Sequence, residues 1–236
     1  MKLGIMQPYF FPYIGYFQLV NAVDLFVLYD NIKYTKKGWI NRNRYLQDGK
    51  DAVFTVPLKG DSDFLDVRER RVAEDFDRRK LLARIGQAYR KAPNFEPAFA
   101  LFEKAVLNPE RNLYGFVHQS IADVCAYLGI ATRIVPSSQI AIDHSLQGQD
   151  KVLAICRQTQ ASVYINAIGG QELYSREAFT AQGIDLRFLR STAVQYPQFG
   201  AAFVPWLSML DVMMFNSPEA IRAFLADGFE LAGEPA

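Results

Sequence analysis

A mainly parallel α/β sheet with a helical insertion is the fold class this sequence predicts. Three observations predict it. The first 43 residues run strand, aromatic loop, helix, strand, within the length a βαβ unit needs. After residue 130 short apolar runs again alternate with helical patterns, the rhythm of a parallel sheet. Between about 74 and 128 the strand signal lapses and three helical patterns follow one another. At 236 residues, half of them hydrophobic, the chain is read as a single domain over 1–236 with a sizeable core.

Residues 2–6 read as a buried strand, 13–23 as a helix through Ile14, Phe17 and Val20, and 25–29 as a short central strand. Residues 30–44 are polar and basic and read as a long functional loop. Another strand spans 52–57 and stops at Pro57. The charged stretch 61–74 reads as a solvated strand and helix start. Phe76, Leu81, Leu82, Ile85 and Tyr89 then mark an amphipathic helix that ends before Pro93. Helices at 99–107, with Pro97 near its start, and at 113–128, closed by Gly129, complete the insertion. Strands at 131–135, 162–165 and 184–189 alternate with helices at 149–158 and 175–181. Helices at 205–215 and 218–225 close the chain, and residues 233–236 are expected to fray.

The net charge is +1, which gives no global electrostatic case for nucleic acid or an anionic membrane. Cys125 and Cys156 sit in apolar helical contexts, read as buried free thiols of a reducing compartment, and no zinc spacing occurs. No segment approaches the roughly 18 to 20 apolar residues a membrane span needs, and the start lacks a signal-peptide pattern. The expectation is a soluble cytoplasmic protein acting on a small molecule, compatible with a homo-oligomer, with no metal site evident.

Three constellations carry candidate chemistry. The first is Gln7 and the loop 7–16, which follows the first strand, where open α/β sheets place ligands. Seven aromatics between Tyr9 and Phe26 exceed what one helix needs for packing, so the loop reads as one wall of a binding site. Its tetrapeptide Tyr13-Ile14-Gly15-Tyr16 has the spacing of the His-x-Gly-His loop of HUP nucleotidyltransferases, without the histidines. Tyr13, Gly15 and Tyr16 would then shape an anion-binding turn at a helix N-terminus, with tyrosines that stay neutral near pH 7. The second is Asp30-Asn31-Ile32-Lys33-Tyr34 with Gly38-Trp39-Ile40-Asn41-Arg42-Asn43. Here Trp39 is suited to stacking on a sugar or base. Asn41 and Asn43 are suited to a ligand's polar groups, and Arg42 to an oxyanion or to the fold. Lys33 or Lys59 would offset phosphate charge. The third is the polar punctuation after later strands: Ser137-Ser138, Asn166 with Gly169-Gly170, and Tyr174. All would converge on one sheet edge, where Ser138, Asn166, Gly170 and Tyr174 are the binding candidates.

Of the two histidines, His118 lies mid-helix and reads as structural, whereas His144 lies in a loop beside an acid and is the better proton carrier. The catalytic candidates are therefore His144, Tyr16 and Lys33. Asp211, an acid in an apolar helix, needs a buried partner, either a nearby loop or Arg42.

The opening string Met6 to Leu19, the segments 30–34 and 38–43, Val56-Pro57, Tyr164-Ile165-Asn166 with Gly169-Gly170, Tyr174, and the run Phe203 to Asp211 together resemble the WbqC-like family over most of the chain. The parallel sheet is read as Rossmann-like, and the opening separately looks like a degenerate HUP nucleotidyltransferase loop. The WbqC-like resemblance implies a cytoplasmic step in bacterial O-antigen or other surface polysaccharide synthesis. The expected activity is that of a transferase or amide-forming ligase acting on a nucleotide-linked sugar or activated acyl substrate. The alternatives are a non-catalytic nucleotide- or sugar-binding protein of the same descent and, less favoured, a scaffold for other glycan enzymes. A nucleotide or nucleotide-sugar is the ligand it suggests.

Overall fold

The computed structural model describes residues 1–62, 64–192, 194–200 and 202–233. Its centre is a six-stranded sheet: β1 (Lys2–Met6), β2 (Leu25–Leu28), β5 (Arg133–Pro136), β6 (Val163–Ala167), β7 (Asp185–Ser191) and β8 (Phe229–Ala232). The spatial order is β5-β2-β1-β6-β7-β8. The first five strands are parallel, with Leu3 opposite Leu25 and Lys2 opposite Val163. Only β8 runs antiparallel, on the outer side of β7. The chain passes from β1 to β2 on one side and later from β5 to β6 on the other. The strand order therefore reverses between β1 and β6, a topological switch point whose carboxyl side is a crevice.

Both faces of the sheet are covered, which is why its strands read as continuous apolar runs. One face, including Phe26, Leu28 and Ile165, packs on α1 (Ile14–Asn21), α4 (Leu113–Leu128) and α8 (Pro218–Asp227). The other, including Leu3, Ile5, Val27 and Tyr164, packs on α5 (Gly148–Gln158) and α6 (Arg176–Thr180). Helix α4 is capped at both ends: Asn112 Oδ1 accepts from Gly115 N at 3.1 Å, and Gly129 ends it at φ 72°. That left-handed conformation is open to glycine at least cost. Of the three helices expected between 74 and 128, α4 leads straight into β5, whereas α2 (Arg78–Tyr89) and α3 (Phe95–Leu107) pack on each other. Helix α3 also packs on α7 (Met209–Phe215).

Four expectations need correction. Residues 42–47 are not loop. They form β3 (Arg42–Gln47), a hairpin with β4 (Lys50–Thr55) outside the main sheet. Strand β8 had no sequence signal. The charged stretch 61–74 holds one short 3-10 turn, Val67–Glu69, rather than a strand and helix start. The helix expected at 205–215 begins at Met209, not Pro205. The chain before it is pinned to two loops, Ser208 N donating to Arg44 O at 3.0 Å and Met209 N to Pro12 O at 2.8 Å. The expectation of fraying at 233–236 meets a bonded Gly233, whose carbonyl accepts from Arg176 Nη1 at 2.9 Å; residues 234–236 lie outside the described residues.

Cys125 and Cys156 are buried and unbonded to each other. Burial pushes both thiols up to about 12, so neither is a reactive thiolate near neutral pH. Among the described residues no helix is long and apolar enough to cross a membrane.

Candidate functional site

The carboxyl ends of β2 and β5 meet in a hydrogen-bonded polar cluster. Asp30, buried at the end of β2, accepts from Ser137 Oγ and Ser138 N at 2.9 Å each and from Ser138 Oγ at 2.5 Å. Asn31 Oδ1 accepts from Ser137 Oγ at 2.6 Å. The amide Nδ2 is thereby turned toward His144 Nδ1, 2.9 Å away. With Nδ2 donating, Nδ1 accepts, and the matching tautomer holds the ring proton on Nε2. The turn that follows β5 thus returns a histidine to the end of β2.

Lys151 completes the cluster from the first turns of α5. It is only 7% exposed, yet among the described residues no carboxylate lies within ion-pair distance of its ammonium. Its nearest polar atoms are Asn31 O and Oδ1, both at 3.4 Å, and the Tyr29 ring lies 5.6 Å away. Three strong donors thus meet two long contacts. Burial lowers the Lys151 pKa; Asp66 and Asp30 pull it partly back up. A buried cation so poorly matched, at the carboxyl edge of a parallel sheet, is a recognised mark of a working site.

The turn after β6 stands next in the sheet beyond β1. Asn166 is buried, its Oδ1 accepting from Ala167 N at 2.7 Å. A side chain at Gly170 would meet Asn166 Nδ2 at 2.8 Å, so the glycine makes room for the amide. Tyr174 accepts from Tyr164 OH at 3.3 Å and lies beside Tyr29, whose ionisation burial suppresses. Gln7, at the end of β1, receives Tyr9 OH on Oε1 at 3.3 Å and Tyr16 OH on its carbonyl at 3.0 Å.

The aromatic loop divides its rings between core and surface. Phe10, Phe11 and Tyr16 are buried, whereas Tyr9 and Tyr13 are half-buried. These two line a cleft of about 350 Å³ with Trp39, Asn43, Arg44 and Trp206. The Arg42 and Arg44 guanidiniums lie 5.5 and 5.1 Å from the Trp39 ring and hold it in place.

The sequence candidates therefore fall into groups. His144 and Ser138 join the polar cluster. Asn166, expected in the turn, lies in β6 itself opposite Phe188; Gly170 and Tyr174 follow the strand, Gln7 follows β1, and Tyr13, Trp39 and Asn43 line the aromatic cleft. Others serve the fold. Asn41 accepts from Tyr34 OH at 2.8 Å and donates to Val56 O at 2.7 Å. Asn43 Nδ2 donates to Phe11 O at 2.8 Å, and Arg42 Nε to Gly38 O at 2.9 Å. All three residues hold backbone, and Asn43 also lines the cleft.

Tyr16 is buried and its pKa pushed well up, which disfavours it as an acid or base. A side chain at Gly15 would lie 2.4 Å from the Tyr13 ring, so that ring already covers the first turn of α1. Lys33 lies out over the Phe64 ring, and Lys59 faces Asp61 at 3.8 Å. Asp211 binds Tyr89 OH, Tyr196 OH and Gln198 Nε2, each at 2.7 Å, rather than Arg42. His118 stacks on Tyr114 at 5.5 Å, and its half-buried place lowers its pKa. Lys151 and Trp206 were not among the candidates. Lys151 stands alone as a charge inside the apolar helix 151–156, and Trp206 is one of only two tryptophans.

A family model described as the WbqC-like protein family matches residues 7–223. The chain belongs to the WbqC-like protein family. A similar curated relative is an uncharacterized protein, Rv1507c, of Mycobacterium tuberculosis (strain ATCC 25618 / H37Rv). It is 27% identical over 224 residues, covering 93% of this chain and 95% of the relative. No solved structure matches the chain. The matched span of this WbqC-like chain takes in the aromatic loop, the polar cluster, Lys151 and Trp206 alike.

Proposed function

We propose that this WbqC-like protein is a transferase or amide-forming ligase that modifies a nucleotide-linked sugar or an activated acyl substrate. Its place is a cytoplasmic step in the assembly of bacterial surface polysaccharide, as the family resemblance implies. The observation that carries the reading is the convergence of Asn31, Ser137, Ser138, His144 and Lys151, drawn from two strand ends and a helix, at the carboxyl side of the sheet. In this reading the under-coordinated Lys151 ammonium takes the anionic part of the activated substrate. The roles first expected of Lys33 and Lys59 pass to it. His144 carries the proton, its Nδ1 held 2.9 Å from Asn31 Nδ2.

The test is incubation with nucleotide-sugars, ATP and acyl thioesters, followed by mass analysis of the small molecules. Turnover that falls at least tenfold in Lys151→Met and His144→Gln supports the reading. No mass change across the panel removes it. A second reading, a binding protein without chemistry, has its own support. Where the nucleotidyltransferase loop has two histidines, Tyr13 packs on Gly15 and Tyr16 is buried, which leaves no charged donor there. It expects nucleotide-sugars to raise the melting temperature with no product formed.

A further inference from the structure

Beyond the polar cluster, the β1 and β7 ends of the sheet carry a surface of different chemistry. Tyr13 follows β1, Ser191 ends β7, and both line one cleft with residues of the segment leading to α7. The 350 Å³ cleft described above adjoins a second of about 460 Å³. Tyr13 and Trp206 line both; their rings lie 6.2 Å apart at 59° and form a ridge between two bays. The first bay holds Trp39 and Arg44. The second holds the Tyr196 and Phe203 rings, with Thr192 and Gln195 on its rim.

Trp206 is 66% exposed and sits at φ 62°. A bulky side chain in the left-handed region costs about 1–2 kcal/mol, and an indole so exposed recovers little of that from the core. Strain held at an exposed aromatic is a mark of a ligand site. Rings flanked by hydroxyl and amide groups match the apolar C–H faces and hydroxyl edges of a sugar ring. Arg44, 3.8 Å from Asp51, is the one charged residue among those lining the two bays; the rest are aromatic, apolar, hydroxyl or amide groups, the chemistry of an uncharged ligand.

We propose that these joined clefts bind an uncharged carbohydrate of at least two sugar units, one in each bay, with Tyr13 and Trp206 between them. The site stands apart from the activated substrate placed at Lys151, and its binding requires no chemistry there.

Both tryptophans of the chain line the first bay, so fluorescence excited selectively at tryptophan reports on this cleft. The probes are cellobiose, maltose, lactose and chitobiose, the monosaccharide of each, and uridine and adenosine as flat non-sugar controls. The expected result is a saturable spectral shift with at least one disaccharide, which binds about tenfold tighter than its monosaccharide. Trp206→Ala is expected to weaken it about tenfold or more with no fall in melting temperature. Three results each overturn the proposal: no saturable shift with any sugar, equal affinity for mono- and disaccharide, or a response to nucleosides alone. Turnover of nucleotide-sugars that depends on Lys151 is a separate readout, so either idea can fail while the other stands.

Discussion

Three buried polar side chains carry the sharpest residue-level consequences. Asp211 receives three hydrogen bonds from Tyr89, Tyr196 and Gln198 in a fully buried position. Asp211→Ala strands those donors at about 1–3 kcal/mol each, so chemical denaturation is expected to show a loss of several kcal/mol. Burial raises the Asp211 pKa above its unfolded value. The native state then holds the extra proton in that window, and this group's contribution to stability falls as pH rises through it. Lys151 runs the other way. Its pKa is lowered, so the unfolded chain binds the extra proton, and stability rises with pH between the lowered value and the ordinary lysine range. Lys151→Met is expected to raise stability by about 1 kcal/mol while reducing activity, the trade-off typical of a working residue. A melting curve and a turnover assay on the same variant check both signs. Asn43→Ala frees the carbonyl of Phe11, a residue held at φ 47°, and should cost about 1–3 kcal/mol.

Elements were legible where burial on both sides writes an apolar run, as in β1, β2, β6 and β7, and where caps mark a helix, as Asn112 and Gly129 mark α4. They were hidden where tertiary contacts decide. Strand β3 begins Arg-Asn-Arg and shows no apolar alternation, although Asp48-Gly49 at its turn is a hairpin signal. Strand β8 exists because β7 offers it an edge. Pro205 looks like the first residue of a helix, but backbone bonds from Ser208 and Met209 to Arg44 and Pro12 keep 205–208 out of it, with Trp206 in a left-handed bend. Trp206→Gly relieves that strain, so its melting temperature is expected to equal or exceed the parent's. The same logic applies to the site. Ser138 could be placed because it follows a strand, and Asn166 because it falls at the carboxyl end of one. The meaning of Lys151 depends on Asn31, 120 residues earlier, and no local pattern announces it.

At the scale of the molecule, one strand order explains the layout. The reversal between β1 and β6 opens the carboxyl edge, and the β2 and β5 ends supply its polar groups. The aromatic loop, the β3–β4 hairpin and the segment before α7 add the ringed clefts beside β1 and β7. The central claim is that an activated, nucleotide-linked substrate occupies the β2–β5 end, against Lys151. The direct measurement is backbone hydrogen exchange with and without a saturating nucleotide-sugar. Slowed exchange in 29–31, 137–138 and 148–151, lost in Lys151→Met, is the predicted result. Protection confined to the amino ends of the strands, or the same protection with Lys151 replaced, would contradict the account.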